Sequence, residues 1–193
     1  LKESSLKELV LSSIRTYNDT YIDDFNTTLR YSNFINSIDD VDKSILSNDT
    51  TIRPIRLIVP ELGTAKSYDI NFSQELQDNL KNIQLIHPLQ TLTTITSTDF
   101  IYGNRTVSLQ DDGNGILQTV SLENTVFTVI ENVGTVDYIT GKIQLKKINI
   151  TQYSGSAIKV YARTKRRDIS SLLQTILSIK DEDVIINIIP ERV

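Results

Sequence analysis

Gly134-Thr135-Val136-Asp137-Tyr138-Ile139-Thr140-Gly141-Lys142-Ile143-Gln144-Leu145 sets two short apolar-alternating runs about a Thr-Gly turn. Val136 and Tyr138 alternate with polar neighbours on one arm, Ile143 and Leu145 on the other, and Gly141 can supply the positive φ of the turn between them. The spacing predicts a tight β-hairpin. Two strands alone are marginal in water, so both arms need further strands beside them. No side chain in the stretch suggests chemistry, which points to a protein that holds things rather than changes them.

On either side, 100–102, 106–109, 116–121 and 126–130 read as strands leading into the hairpin, and 157–162 as a strand following it. Asp111-Asp112-Gly113-Asn114-Gly115 and Gly155 punctuate them as turns. In the tail, Leu172, Leu173, Ile176 and Leu177 suit a short helix or a packed extended arm, and 184–189 is apolar on both faces, as a covered strand would be.

The N-terminal part has helical spacing. Ser5-Leu6-Lys7-Glu8 has the form of a capping box, and Leu6, Leu9, Val10, Ile14, Tyr17 and Tyr21 follow as one apolar stripe. That stripe must be covered by the rest of the domain or by another chain. Residues 24–60 read as a small α/β unit. In it 25–31 is extended, Ser32 caps a short helix that buries Phe34, Ile35 and Ile38, and 43–46 pairs with 51–59 about an Asn48-Asp49 turn. Pro54 confines that last strand to an edge or a bulge. After a loop at 61–67, 68–72 alternates as another strand.

Between 74 and 98 the signal weakens: Leu76, Leu80 and Ile83 suit one helical face, and the Thr-rich run around Leu89, Leu92 and Ile95 suits a strand or a loop. The expected class is α+β. It has an N-terminal helix plus small α/β unit at 1–73, a connecting or inserted segment at 74–97, and a β-rich antiparallel unit at 98–193 built around the hairpin at 134–145.

Composition narrows the function classes. The 193 residues are enough for a core without staples, and 20 basic against 24 acidic residues leave a net charge of −4, the opposite of a nucleic-acid-binding balance. Cys is absent, so disulfides, thiolate metal sites and a Cys nucleophile are excluded. A single His, His87, excludes a multi-His metal site. No apolar run approaches the ~20 residues of a membrane-spanning helix. The chain opens on Leu1 and contains no Met, so it is expected to be the C-terminal part of a longer protein.

Each chemical motif has a plainer explanation. Asp111 to Gly115 has the carboxylates of a calcium loop but neither its alternate spacing nor its closing Glu, and turn chemistry accounts for it. Asp23-Asp24, Asp39-Asp40 and Asp181-Glu182-Asp183 are the minimum kit of a glycosidase, yet adjacency along a chain does not set carboxylates across a sugar, and the chain has no Trp for stacking. Lys165-Arg166-Arg167 is the one basic cluster; it is either a solvated strand end or a contact for phosphate or, as the favoured functional reading, for an acidic protein partner. No catalytic residue, metal ligand or cofactor is expected. The interface candidates are Leu6, Leu9, Val10, Ile14 and Tyr17 on the first helix, and Lys165, Arg166 and Arg167.

Taken together, the hairpin at 134–145, Ala157-Ile158-Lys159-Val160-Tyr161-Ala162, Arg167-Asp168-Ile169 and Ile176-Leu177-Ser178-Ile179 resemble the C-terminal region of the baseplate wedge subunit of T-even-like contractile-tailed phages. Leu29-Arg30-Tyr31-Ser32, followed by 35–42 and an Arg-containing strand, is similar to the same subunit and more loosely to baseplate J-like proteins. The resemblance implies a structural virion protein of the tail baseplate, assembled in the host cytoplasm. It also implies dimer contacts within a ring around the tail tube, binding to other wedge proteins, rearrangement on sheath contraction, and no nucleic-acid or membrane partner. It carries no chemical role to any residue. A receptor- or carbohydrate-binding β module of a tail fibre or adhesin is the alternative from another class, and an acid/base hydrolase a third.

Overall fold

The computed structural model describes residues 2–78, 93–123, 126–171 and 175–190. Leu80, Ile83, His87, Leu89, Leu92, Leu172 and Leu173 lie outside the described residues. In chain order the elements are α1 (Glu3–Tyr17), a π-helical turn (Asn18–Ile22), β1 (Thr28–Leu29), α2 (Tyr31–Asp39), β2 (Ile55–Ile58) and β3 (Ala65–Asn71). There follow β4 (Ile95–Ser97), β5 (Phe100–Tyr102), β6 (Arg105–Asp111), β7 (Ile116–Glu123), β8 (Val126–Asp137), β9 (Lys142–Tyr153), β10 (Ile158–Ala162), β11 (Ile169–Ser170) and a 3₁₀ turn (Asp181–Asp183). The class is α+β, with mostly antiparallel sheet. The chain divides into two units, one formed by 1–51 with 167–193 and the other by 52–166.

In the helical unit, α1 buries Val10, Ile14 and Tyr17, and α2 buries Phe34 and Ile38. The rings of Tyr17 and Phe34 meet edge to face, 5.1 Å between centroids, and the Ser13 hydroxyl donates to the Ser37 carbonyl (2.7 Å). The expected capping box is not formed. α1 starts at Glu3 after Lys2, whose side chain makes no cap, so Ser5 lies within the first turn. Glu3 there favours the positive helix end and pairs with Lys7 one turn on (2.8 Å).

Ser32 is likewise inside α2 and does not cap it. The cap is remote. The Tyr31 N–H donates to Oδ1 of Asp168 (2.9 Å), while Arg30 Nη1 donates to Oδ2 (3.0 Å). The tail brings Asp168 there by pairing β11 with β1, Ile169 opposite Leu29 and Ser170 opposite Thr28. It then bridges Phe25 with Ile176 and ties the Ile179 N–H to Asn18 Oδ1 (2.7 Å).

Two expected strands are corrected. Residues 43–46 form no strand because the chain turns there: the Ser44 N–H donates to Asp42 Oδ1 (2.9 Å) and the Ile45 N–H to the Asp42 carbonyl (3.0 Å). Residues 184–189 are not a covered strand either. They make no ladder among the described residues and expose Ile185 (86%) and Ile189 (90%).

The hairpin expected at 134–145 is present in the second unit. Gly134 stands opposite Leu145, Val136 opposite Ile143 and Asp137 opposite Lys142, and Gly141 turns the chain with φ +71°. Val136, Ile143 and Leu145 are buried and Tyr138 is half-buried against the same core. The pairings close on themselves. β5 pairs β6, β6 pairs β7, β7 pairs β8, β8 pairs β9, and β9 returns to β5, all antiparallel. A ring of this kind removes the open edges that five short strands would otherwise leave. β3 adds to β9 outside the ring, and β10 joins β4 to β2. β2 is an edge strand, as Pro54 beside it requires, and the Pro54 carbonyl accepts from the Ala162 N–H (3.1 Å). Phe100, Val107, Leu109, Leu117, Ile148 and Ile150 fill the core with the hairpin residues.

Candidate assembly surfaces

The ladder between β7 and β8 runs past the point where β9 ends its contact. β9 pairs only the Gly134–Asp137 end of β8, whereas β7 stays beside β8 as far as Glu123 opposite Val126. β6 pairs β7 only as far as Ser108 opposite Val120, so beyond that point 121–123 and 126–128 form a two-stranded ribbon. Leu122 stands opposite Phe127 and Val120 opposite Val129, so these four share a face. Val120 is buried near the ring, but Leu122 (60% exposed), Phe127 (40%) and Val129 (53%) face solvent, with Val126 (59%) on the other side. Leu122, Phe127 and Val129, three large apolar residues on one face, form a contiguous patch of the kind that marks a protein contact. Pattern reading of 116–130 finds these strands but cannot find this patch, because alternation does not say where a strand leaves the core.

Beside the ribbon, Tyr102, Arg105, Ile130, Glu131 and Asn149 line a shallow, open cleft. The Tyr102 hydroxyl donates to Glu131 Oε2 (2.6 Å), and that bond to a carboxylate raises the phenol above its ordinary value. The bond joins two residues of the cleft lining.

In the helical unit, Val10, Ile14 and Tyr17 are core residues, Leu6 is half-buried, and Leu9 is exposed at 43%. Tyr21, Phe25 and Ile176 are exposed as well. The basic cluster is dispersed. Lys165 forms an ion pair with Glu75, Arg167 lies over the Tyr31 ring (4.9 Å), and Arg166 is exposed. Of the four consecutive charges, Asp168 has the clearest structural task, as the remote cap of α2.

The acidic motifs serve local structure. Asp24 accepts from the Phe25 N–H (2.6 Å), Asp39 from Asn48 Nδ2 (2.9 Å), and Asp181 from Arg15 (2.6 Å). Asp111 is the most heavily used. Buried at 5% exposure, it accepts from the Ile95 N–H (2.8 Å), the Tyr138 hydroxyl (2.7 Å) and the Gly113 N–H (3.2 Å). It thereby locks the β6–β7 turn, the start of β4 and the 134–145 hairpin together. Burial first, and then the bond to Asp111, push the Tyr138 hydroxyl far above its ordinary value, so it stays a neutral donor. Among the described residues no group of three His, Cys, Asp or Glu side chains is placed to hold a metal, and no helix is long and apolar enough to cross a membrane.

The acidic motifs are spent on internal bonds, and large apolar side chains stand exposed on the β7–β8 ribbon and around α1. Residues 1–56, which span α1, β1 and α2, match the family model for baseplate structural protein gp6, C-terminal domain III. The match supports a structural role in a phage baseplate, assembly with other baseplate proteins and a location in the virion tail baseplate. No curated protein matches the chain.

Proposed function

We propose that this chain is the C-terminal part of a baseplate wedge subunit, of the kind found in T-even-like contractile tails and related to baseplate J-like proteins. It is non-enzymatic, self-associates into a ring scaffold around the tail tube, binds other wedge proteins and rearranges when the sheath contracts. The observation that carries this reading is the family match over α1 to α2.

A closed ring needs two different contact surfaces, or one self-complementary surface used alternately with another. The apolar ribbon of β7 and β8 supplies one, and the outer side of α1 around Leu6 and Leu9 supplies the second. Val10, Ile14 and Tyr17 act by holding α1 in place. Lys165, Arg166 and Arg167 stand as a secondary contact for an acidic partner, with Arg166 the most accessible of the three.

Sedimentation velocity on the 193-residue chain tests the reading. Wild type should dimerise at micromolar concentration, and Phe127→Asp with Leu122→Asp should leave a folded monomer. A strictly monomeric wild type that binds immobilised glycans would point to a receptor-binding module and reject the scaffold.

A further inference from the structure

In the β unit, Tyr161 of β10 stands opposite Ile55 of β2, and the register continues past both strands as the Ala162 N–H donates to the Pro54 carbonyl (3.1 Å). One step further, Arg163 comes opposite Arg53. The Arg163 backbone is fixed there, its N–H on the Thr94 carbonyl (2.9 Å) and its carbonyl accepting from the Gln77 N–H (2.9 Å). Two like charges at directly opposed positions are unfavourable.

Among the described residues no ion pair joins either guanidinium to a carboxylate. Arg53 Nη2 donates to Thr96 Oγ1 (3.0 Å), and its guanidinium carbon lies 5.7 Å from the centre of the Tyr161 ring. Nε of Arg53 and Nε of Arg163 are both buried without a hydrogen-bond partner among the described residues. Burial, and then Arg163, bring the Arg53 guanidinium down to about 10, so the folded chain disfavours its charge. Residues 79–92 contain no Asp or Glu. Unpaired, partly desolvated guanidinium donors are costly, and their fork geometry fits a carboxylate or a phosphate.

We propose that Arg53 and Arg163 form a two-guanidinium site for an oxyanion, which takes donors from both side chains and neutralises the pair. The site stands independently of the baseplate reading. The oxyanion comes either from an acidic side chain of a partner protein or from free phosphate.

Thermal unfolding of the whole chain at constant ionic strength in chloride separates these sources, with inorganic phosphate as one probe and a hexaglutamate peptide as the other. A probe at ten times its Kd should raise the wild-type Tm by about 5 °C. Arg53→Gln and Arg163→Gln should lose that response while unfolding no lower than wild type in chloride alone. A response to phosphate identifies a free-anion site, and a response to the peptide alone identifies a partner's carboxylate. Arg53→Lys, which keeps a charge but not the fork, should respond less than wild type and replaces Arg53→Gln if that variant does not fold. No response from wild type to either probe, or equal responses in wild type and the variants, overturns the proposal.

Discussion

Gly134 lies where β8 comes closest to β9, and replacing it with Ala tests whether the ring of strands is what holds the β unit together. A methyl carbon built there falls 1.9 Å from the Gln144 carbonyl oxygen, 3.0 Å from its carbon and 3.2 Å from Leu145 Cα, all backbone atoms that cannot rotate away. Real contacts of this kind stay above 3.0 Å, so the strands must separate by about 1 Å. That opens the ladder from Gly134 to Asp137 and lifts Val136 away from Ile143. Losing two or three ladder bonds at about 1 kcal/mol each, with loosened packing around Leu145, predicts a loss of about 3 to 5 kcal/mol. Gly63→Ala is the matched control. Its φ of +73° strains a side chain, but nothing lies within 4 Å, so about 1 to 2 kcal/mol is expected. Urea unfolding followed by circular dichroism measures both. If Gly134→Ala costs no more than Gly63→Ala, β8 and β9 tolerate separation and the closed ring does not hold the unit.

Asp111→Ala strips the acceptor from Ile95 N–H and Tyr138 and should cost about 3 to 5 kcal/mol in the same assay, against about 1 to 2 for Tyr138→Phe, since a buried unpaired donor costs more than a lost bond. Ile95→Ala, at a fully buried position, should cost about 2 to 5 kcal/mol through the cavity it leaves. Asp168 is held below its ordinary 3.8 by the Tyr31 N–H and then Arg30, and Asp181 by Arg15. Their contribution is therefore complete above pH 3.8 and is lost as pH falls through the lower folded values. Wild type should lose more stability across that acid window than the Asp168→Asn, Asp181→Asn double variant, read from urea midpoints at stepped pH.

The strands around the hairpin were legible because alternation and turn residues act locally: 134–145, 100–102 and 116–121 needed only their own side chains. What escaped depends on partners far along the chain. Ser5 and Ser32 look like caps, yet α1 starts earlier and α2 takes its cap from Asp168, 137 residues after Tyr31. The hairpin expected from 43–46 and 51–59 failed because β2 finds its neighbour in β10, about a hundred residues on, while Asp42 turns the chain at 42–45. Asp111 reads as one more turn residue, and only the pairing of β4 with β6 brings Ile95 to it and the closed ring Tyr138. Of the interface candidates, helical spacing located the stripe of α1 but could not separate buried Val10, Ile14 and Tyr17 from exposed Leu9. The ribbon patch had no signature in sequence, since Leu122, Phe127 and Val129 have the spacing of core residues.

Electron cryomicroscopy of purified virions of the phage that encodes this chain is the most direct test of the baseplate assignment. Density for the helical unit and for the strand ring should lie in the tail baseplate, repeated around the tube, with the β7–β8 ribbon against a neighbouring subunit. A chain absent from the virion, or found only at fibre tips, would contradict the account.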